Sequence, residues 1–435
     1  MKKVLIISPH FPPINGADMH RVRQSLPYFK ELGWEPTVVA VDPAFVEATE
    51  DPLLLETVPD DIRVLHVSAF KPNLTRKLGL GSLALRSLYF YRKAVDRLLR
   101  KEQFDLIYFS TTQFPVLVLG NYWSKKFKVP YVIDMQDPWH SDYYLNKPKS
   151  ERPPKYWFAY TLNKRLEPIA MKRVNGILSV SAAYHQTLCE RYPNIQPEMC
   201  HTLTFGAFEG DQDLLKKHDI PNRIFEPDRN KIRLVYVGRA GHDMKKALSM
   251  LFAGIRYGLA QQPELFQKLE LYFVGTSYAA AGRGVGTVAP LAEEMGLEDM
   301  VFEHTDRVPY FEGLQLLQDA DLLFIPGSDD PKYTASKLYP YILAKKPLLV
   351  IFHKSSSVLE VLKATQAGLA HTFDKGTHPD EQKAAIYTSL VQLLQSLPEP
   401  PETRWEAFAP HFAKAKTARQ VAIFEQALKH FHAPA

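Results

Sequence analysis

Short apolar runs alternate with longer segments of helical pattern along this chain. Each run is three to five residues long and almost wholly apolar. Strands that are apolar throughout are buried on both faces, which is typical of a parallel sheet. Their alternation with helical patterns predicts βαβ units and therefore an α/β fold. The runs lie at residues 4–7, 37–41, 106–109, 131–133, 177–180, 234–237, 271–274, 322–325 and 348–352.

A mostly polar stretch with Gly, Asp, Pro and Asn residues, 206–231, interrupts this pattern near the middle. The chain has 435 residues, which is more than one ordinary core contains. We therefore predict two Rossmann-like domains, 1–205 and 232–414, with the polar stretch as their linker. Pro410 breaks the helical pattern near the C-terminus, so two helices are expected there. The second of them, within 415–435, would pack back on the first domain.

Composition and charge narrow the possible functions. Hydrophobic residues make up 46% and charged residues 23% of the chain, as in folded globular proteins. The net charge of +5 is far below that of a dedicated nucleic-acid binder, so no nucleic-acid partner is predicted. Cys189 and Cys200 are too few for a disulfide framework or a cysteine metal site. Because no run approaches the ~20 apolar residues of a membrane span, we expect a cytoplasmic protein.

The segment 234–248 is the first candidate binding element. Its strand pattern ends at Gly238, and a helical pattern begins near Lys245. Ligands of open α/β sheets bind beyond the carboxyl ends of strands. The cationic groups of Arg239 and Lys245, together with free helix N–H groups, would hold a diphosphate there. The alternative is a surface loop with two solvated cations.

A second segment follows the apolar run at 322–325. Ser336 and Lys337 would open a helix, where a hydroxyl, a cation and free N–H groups suit another phosphate contact. The alternative is an ordinary helix N-cap at Thr334 or Ser336.

Polar residues also follow two strands of the first predicted domain. Asp134, Asp137 and His140 would offer a carboxylate or an imidazole to a sugar hydroxyl, although a capped turn explains them equally well. Gly16 in the first βα loop lets a ligand approach the backbone closely. Its surroundings do not match the G-x-G-x-x-G pattern of a dinucleotide site, and a plain turn glycine is the alternative.

Residues 71–101, from Lys71 to Lys101, form a basic segment with apolar residues at helical spacing. Basic amphipathic helices bind anionic lipid, so peripheral contact with the inner face of a membrane is one interpretation. The other is a helix packed on the core with a solvated basic face.

Taken together, these motifs resemble the GT-B glycosyltransferases, specifically the glycosyltransferase family 4-like group. The likeness rests on the order and spacing of short motifs across nearly the whole chain. They are SPHFPP at 8–13 followed by Gly16 and Arg21, YVGR at 236–239 followed by Lys245, LQDAD at 317–321, and SKLYPYILAKKP at 336–347.

The resemblance implies two Rossmann-like domains facing a central cleft, with a C-terminal helix that crosses back to the first. It implies transfer of a hexosyl group, with retention and without a metal or cofactor, from a nucleotide-diphosphate sugar to a glycan or lipid-linked acceptor. Arg239 and Lys245 would stabilise the departing diphosphate, and Asp137 or Gln136 would touch the donor sugar. The remaining donor-binding residues that it implies are Gly16, Gly238, Val308, Ser336, Lys337 and Leu338.

The chain departs from the family pattern at one place. The family carries two glutamates eight residues apart, and these positions fall at Lys332 and Pro340. Two other functions therefore stay open, a sugar-nucleotide epimerase of the same fold and a non-catalytic subunit that binds nucleotide sugars.

Overall fold

The protein divides into two compact units in a computed structural model. One unit comprises Met1–Gly206 with Ala413–Ala435, and the other comprises Ala207–Phe412. The structure describes residues 1–432 except 76–80, 147, 150, 151, 153–155, 227, 229, 280, 332 and 334.

The first unit contains a seven-stranded parallel sheet in the order β3-β2-β1-β4-β5-β6-β7. Its strands are β1 (Lys2–Ile7), β2 (Trp34–Val41), β3 (Arg63–Val67), β4 (Leu106–Ser110), β5 (Tyr131–Met135), β6 (Gly176–Ser179) and β7 (Cys200–Thr202). Its first helices are α1 (His20–Ser25), α2 (Pro72–Thr75), α3 (Leu83–Lys101), α4 (Val118–Phe127), α5 (Tyr156–Met171) and α6 (Ala182–Arg191).

The central strand β1 shows why the apolar runs form this sheet. Leu5 and Ile7 pack into a core on one face of the sheet, whereas Val4 and Ile6 pack into a second core on the opposite face. All four side chains are fully buried. Burial on both faces is the arrangement that a continuous apolar run predicts.

The second unit contains a six-stranded parallel sheet in the order β10-β9-β8-β11-β12-β13. Its strands are β8 (Ile232–Val237), β9 (Leu269–Val274), β10 (Val301–His304), β11 (Leu322–Pro326), β12 (Leu348–His353) and β13 (Leu369–Phe373). Its helices are α7 (Glu209–Lys217), α8 (Lys245–Gln261), α9 (Pro263–Phe266), α10 (Ala289–Glu294), α11 (Tyr310–Asp319), α12 (Leu338–Leu343), α13 (Val358–Thr365), α14 (Lys383–Gln395) and α15 (Trp405–Phe408).

The chain ends with helix α16 (Ala413–His432), which belongs to the first unit. Its Phe424 ring lies 5.4 Å from the ring of Trp34 and 5.0 Å from that of Tyr108, measured between centroids. Pro410 lies in a 3-10 turn between α15 and α16, so the two expected helices are present. The last three residues of the predicted 415–435 helix fall outside the described residues.

The polar stretch at 206–231 is not the plain linker that its composition predicts, because it carries helix α7. Leu214 and Leu215 of this helix are buried, and its Asp211 accepts a 2.7 Å hydrogen bond from the Tyr310 hydroxyl of α11. Two leucines are enough to dock a short helix whose other residues are polar, and this is why composition alone missed it.

Among the described residues, no helix is both long enough and apolar enough to cross a membrane.

Candidate functional site

The loop after β8 is shaped by Gly238. Its φ of +146° is a backbone conformation that residues with a side chain rarely adopt. A Cβ atom at this position would also overlap the Lys337 ammonium, which lies directly against the glycine. The glycine therefore brings the end of β8 against Lys337, two positions that the sequence assigns to one donor site.

Lys337 is held in this position by Tyr236. The Lys337 ammonium donates a 2.7 Å hydrogen bond to the Tyr236 hydroxyl and lies 4.5 Å from the centroid of that ring. The same hydroxyl donates to the Arg239 carbonyl at 2.6 Å. Burial, together with the nearby charges of Arg239 and Arg307, lowers the pKa of Lys337 to about 7. The structure thus concentrates positive charge at the carboxyl end of β8.

Arg239 forms a two-pronged ion pair with Asp243. Its two terminal nitrogens donate to the two carboxylate oxygens at 2.6 and 2.8 Å. The hydrogen bond to Asp243 raises the pKa of Arg239 and outweighs the effect of burial. Burial would raise the pKa of Asp243, but its bonds to Arg239 hold that pKa below the ordinary value. The carboxylate therefore fixes the position of the guanidinium.

Lys245 is the first residue of α8, as the helical pattern predicts. Its ammonium lies 3.3 Å from the Glu294 carboxylate, and both side chains are more than half exposed. Arg239 and Lys245 thus take different partners. Because an exposed ion pair is worth only about 0–1 kcal/mol, Lys245 can leave Glu294 for an anionic ligand at little cost.

The other predicted donor-binding residues of this unit differ in the solvent exposure of their side chains. Ser336 is exposed in the turn before α12, and Val308 is half-buried. The Leu338 side chain is buried, and the backbone N–H of this residue donates a 3.2 Å hydrogen bond to the Ala335 carbonyl. Of these residues, Leu338 therefore presents the fewest groups to a ligand. Lys332 and Thr334 fall outside the described residues. Helix α12 begins at Leu338, and neither the Ser336 nor the Lys337 side chain forms a capping hydrogen bond to it.

In the first unit, a buried polar network lies at the carboxyl ends of β4 and β5. One oxygen of the Asp134 carboxylate accepts hydrogen bonds from Arg21 at 2.7 Å, Ser110 at 2.9 Å and Gln136 at 3.0 Å. The Gln136 amide also donates to the Asp18 carbonyl at 3.0 Å. Gln136 and Asp134 are therefore built into the fold, whereas Asp137 is exposed directly after them.

His10 and Asp18 form a pair in the first βα loop that the sequence pattern alone does not predict. The His10 ring nitrogen Nδ1 is 2.7 Å from an Asp18 oxygen, and the other oxygen accepts from the Thr111 hydroxyl at 2.7 Å and from the Thr112 N–H at 3.0 Å. Burial would lower the pKa of His10, but Asp18 more than compensates and raises it. For Asp18, burial would raise the pKa, but His10 lowers it below the ordinary value.

Gly16 is packed against this pair. A Cβ atom on Gly16 would lie 2.9 Å from the His10 ring and 3.0 Å from an Asp18 oxygen, closer than side chains normally approach. The glycine that was predicted to border the donor therefore also makes room for an oriented imidazole. The sequence signal for this pair is an Asp eight residues after a His in one βα loop. That spacing alone does not show that the two side chains are in contact.

His140 is buried behind Asp137 rather than presented to solvent. Its backbone N–H donates to the buried Glu167 carboxylate at 3.0 Å, and its ring lies 4.7 Å from the Tyr160 ring. Glu167 is also paired with Arg191. Of the three residues proposed to face a sugar hydroxyl, only Asp137 is exposed.

The basic segment 71–101 is divided between the core and the surface. Arg86 is buried, and its guanidinium donates to the carbonyls of Phe70 at 2.7 Å and Phe45 at 3.0 Å, so it does not belong to a lipid-facing surface. Arg76 and Lys77 fall outside the described residues. The exposed basic side chains of α3 are Arg92, Lys93, Arg97, Arg100 and Lys101.

No group of three or more His, Cys, Asp or Glu side chains with metal-binding geometry occurs in the described part of the chain.

Comparison with known proteins agrees with this architecture. Residues 20–204 match the family model described as Glycosyltransferase Family 4. No protein of curated function matches the chain significantly by sequence.

Several solved structures share the fold over almost their full length. Anabaena Alr3699/HepE in complex with UDP-glucose is 18% identical, with 98% of each chain covered and a TM-score of 0.56. WaaG, a glycosyltransferase involved in lipopolysaccharide biosynthesis, is 15% identical, with 99% of this chain and 100% of that chain covered and a TM-score of 0.52. The α,α-trehalose-phosphate synthase from Burkholderia xenovorans is 9% identical, with 97% and 100% covered and a TM-score of 0.61. The predicted fold of two Rossmann-like domains is confirmed.

Proposed function

We propose that this chain, a member of the glycosyltransferase family 4-like group with the GT-B fold, moves a sugar from a nucleotide-diphosphate sugar to a glycan or lipid-linked acceptor. The observation that carries the proposal is the convergence of Gly238, Arg239 and Lys337 at the carboxyl end of β8. Two cations and a glycine loop at that place suit a diphosphate. The UDP-glucose in the complex of Anabaena HepE is a ligand of this class.

In the donor site, cationic side chains are already held in position before the substrate binds. Asp243 fixes the Arg239 guanidinium, and Tyr236 fixes the Lys337 ammonium. When the bond between the sugar and the diphosphate breaks, negative charge grows on the leaving oxygen. Fixed cations stabilise that charge without first having to reorganise. In this proposal Arg239 and Lys337 are the fixed cations, Lys245 joins them by leaving Glu294, and the reaction needs no metal or cofactor.

The remaining assignments follow the same resemblance. Ser336 and Lys337, with Leu338 beside them, serve the phosphate and ribose side of the donor, and Val308 serves the side of the base. In the first unit Gly16, Gln136 and Asp137 serve the donor sugar. Because Gln136 is committed to Asp18 and Asp134 and Asp137 is exposed, we assign the contact with a sugar hydroxyl to Asp137. The transfer is proposed to retain the configuration of a hexosyl donor.

The first test is a panel of nucleotide sugars, with ligand binding followed by thermal shift and turnover followed by release of nucleoside diphosphate. A ligand that binds only the native state raises the melting temperature. Arg239→Ala and Lys245→Ala should each reduce turnover by at least about a hundredfold, as for other removed transition-state contacts. Arg256→Ala, an exposed arginine further along α8, is the control. Full activity in both variants would overturn the site.

A non-catalytic subunit that binds nucleotide sugars is the second candidate. The observation that favours it is Pro340, which lies in α12 at a position where the family carries an acid. Tight nucleotide binding without turnover, over a full panel of donors and acceptors, would support this function. Interconversion of donors without an acceptor would instead indicate an epimerase.

We also propose peripheral contact with anionic membrane through α3. Phe70 and Tyr89 are exposed next to Phe90, with ring centroids 5.0 Å apart for Phe70 and Phe90 and 5.4 Å for Tyr89 and Phe90. Aromatic side chains beside a basic helix face suit a lipid surface. The exposed basic residues of that face include Lys93, Arg97 and Arg100.

Sedimentation with anionic vesicles tests this contact. Replacing Lys93, Arg97 and Arg100 by Gln should weaken binding, since each basic residue near an anionic surface contributes about 1 kcal/mol. The double variant Lys216→Gln and Lys217→Gln on α7 is the control for a general loss of charge. Vesicle binding that depends neither on salt nor on the α3 substitutions would contradict the proposed membrane contact.

A further inference from the structure

The two cysteines of the chain meet at one place in the first unit. Cys189 lies near the end of α6, and Cys200 is the first residue of the edge strand β7. Their sulfur atoms are 4.0 Å apart, and both thiols are free. Because the sequence contains only these two cysteines, all the thiol groups of the protein are gathered in this one pair.

The separation of the two sulfurs is small enough for a bond to form between them. A disulfide has an S–S distance of about 2.05 Å, so the sulfurs need to approach by only about 2 Å. Rotation of the two thiols about their Cα–Cβ bonds supplies part of this movement. The edge strand β7, whose neighbour in the sheet is β6, can supply the rest by a small shift.

Small reagents can reach both thiols. Each cysteine side chain packs against the core of the first unit, but it is only half-buried there. Glu190, Pro197 and Glu198 beside them in the sequence are exposed. The pair therefore lies at the protein surface and can meet a dissolved oxidant.

The surroundings of the pair lack the further ligands that a structural zinc ion needs. Such an ion takes four ligands. Across the residues that the structure describes, no group of three or more His, Cys, Asp or Glu side chains has the geometry to hold a metal ion. The two thiols are therefore arranged as a dithiol, and thiol–disulfide exchange is the chemistry that suits them.

The environment of Cys200 determines how fast the pair can react. Burial, together with the neighbouring Cys189 and Glu198, raises the pKa of the Cys200 thiol. Because the thiolate is the attacking form in disulfide exchange, a raised pKa slows oxidation. A thiol of high pKa is also a poor leaving group, which slows the reduction of a disulfide by attack on the Cys189 sulfur. Exchange at this pair is therefore slow in both directions.

From this geometry we infer that Cys189 and Cys200 are a modification site, a dithiol that reacts with small disulfides of the glutathione class and closes into an intramolecular disulfide. One thiolate attacks a sulfur of oxidised glutathione and releases one reduced glutathione, which leaves a mixed disulfide on the protein. The second thiolate attacks the protein sulfur of that mixed disulfide and releases the second glutathione. The two thiol protons end on the two released thiols, and two electrons pass from the protein to glutathione.

The new bond ties α6 to β7 and closes the loop between them. It does not depend on the transferase activity, because neither thiol belongs to the donor site of the second unit. The expected consequence is local, since a cross-link reduces the number of open conformations that the closed loop can adopt.

The test is incubation of the reduced, full-length chain with oxidised glutathione, followed by mass spectrometry of the intact protein and of its peptides. The wild type should end without free thiols, lighter by two hydrogen atoms, and with the peptides of Cys189 and Cys200 joined. Cys189→Ser and Cys200→Ser should each stop at the mixed disulfide, heavier by one glutathionyl group, because the second thiol is missing. Amide hydrogen exchange between the two cysteines should slow by at least about tenfold in the oxidised wild type.

A matched variant tests whether the position of the thiol matters. Cys189→Ser combined with Glu190→Cys keeps two thiols in the same two elements, but it turns one of them by about 100° around α6. Glu190 is exposed, so the fold should persist, and the melting temperature of each reduced variant checks this. This variant should stop at mixed disulfides. The inference would be overturned by a wild type that stays reduced, stops at a mixed disulfide or cross-links to a second chain. It would also be overturned if the Glu190→Cys variant closed an internal disulfide as fast as the wild type.

Discussion

At the scale of single residues, the protonation of Lys337 depends both on its burial and on a diphosphate bound beside it. Its ammonium lies against Gly238 and Tyr236 and near Arg239, where burial and like charge disfavour the protonated form. A diphosphate at the same place would favour the protonated form. Without a ligand the pKa of Lys337 is about 7, so the charge of this side chain changes within the physiological range.

The first prediction is a pH dependence of UDP binding. Lys337 is protonated below pH 7 and neutral above it, so its attraction for the diphosphate is present at pH 6 and is lost as the pH rises to 8. A single proton changes the affinity by at most about tenfold per pH unit. Calorimetric Kd values between pH 6 and 8.5 should therefore rise more steeply for the wild type than for Lys337→Met.

Comparing the two curves isolates Lys337, because the ionisation of the UDP phosphate is common to both. Lys354→Met removes an exposed lysine of the same unit and should keep the wild-type slope. Parallel curves for the wild type and Lys337→Met would contradict the role of this ammonium.

The second prediction concerns the His10–Asp18 pair and folding stability. The pKa of His10 is raised above its ordinary value of 6.5. The stabilisation by the charged pair is therefore fully present below pH 6.5, and it is lost as the pH rises through the pKa of the folded state. The difference in free energy of unfolding between the wild type and His10→Gln should shrink between pH 6 and 8. A difference that stays constant across this range would show that His10 does not gain a proton on folding.

These residues also show what a sequence can tell about a site. Gly238, Arg239 and Lys245 could be singled out as candidates because they follow a strongly apolar strand, which fixes their place at the end of a sheet. The bond between Tyr236 and Lys337 joins positions 101 residues apart, and the pair of His10 and Asp18 depends on the path of one loop. Both depend on tertiary geometry, and no local pattern encodes them.

At the scale of elements, the nine apolar runs all became strands, and the four strands that were missed share one property. They are the outermost strands of the two sheets, β3 and β7 in the first and β10 and β13 in the second. An edge strand is partly exposed, so its sequence mixes polar and apolar residues, as in RVLHV and LAHTF. Apolar continuity detects only strands that have a neighbour on each side.

The third prediction tests how α16 stabilises the first unit. Phe424 is fully buried against Trp34, Phe29 and Tyr108. Phe424→Ala should lower the free energy of unfolding of this unit by about 3–5 kcal/mol, because it removes buried area and leaves a cavity. Urea unfolding followed by the fluorescence of the buried tryptophans would measure the loss.

Gln426→Ala changes an exposed position of the same helix and should cost less than about 0.5 kcal/mol. Equal effects of the two changes would mean that α16 contributes through its helical backbone alone and not through its packing on the sheet.

At the scale of the whole molecule, the division of the chain into two units determines how stability and binding can be separated. The first unit is built from Met1–Gly206 and Ala413–Ala435, so it depends on both ends of the chain. The second unit is one continuous segment and contains Gly238, Arg239, Lys245 and Lys337. Each unit has its own sheet and its own buried strands.

The final prediction follows from this separation. Thermal unfolding should show two transitions, since domains with separate cores need not unfold together. UDP binds native protein, and at about 100 times its Kd it should stabilise the unit that holds it by about 2.7 kcal/mol. Calorimetric scans should therefore show one transition raised by UDP, and a different one lowered by Phe424→Ala. In Arg239→Ala the UDP-dependent shift should disappear, while the effect of Phe424→Ala persists. If UDP and Phe424→Ala acted on the same transition, either the nucleotide site would not belong to the second unit or the two units would unfold as one.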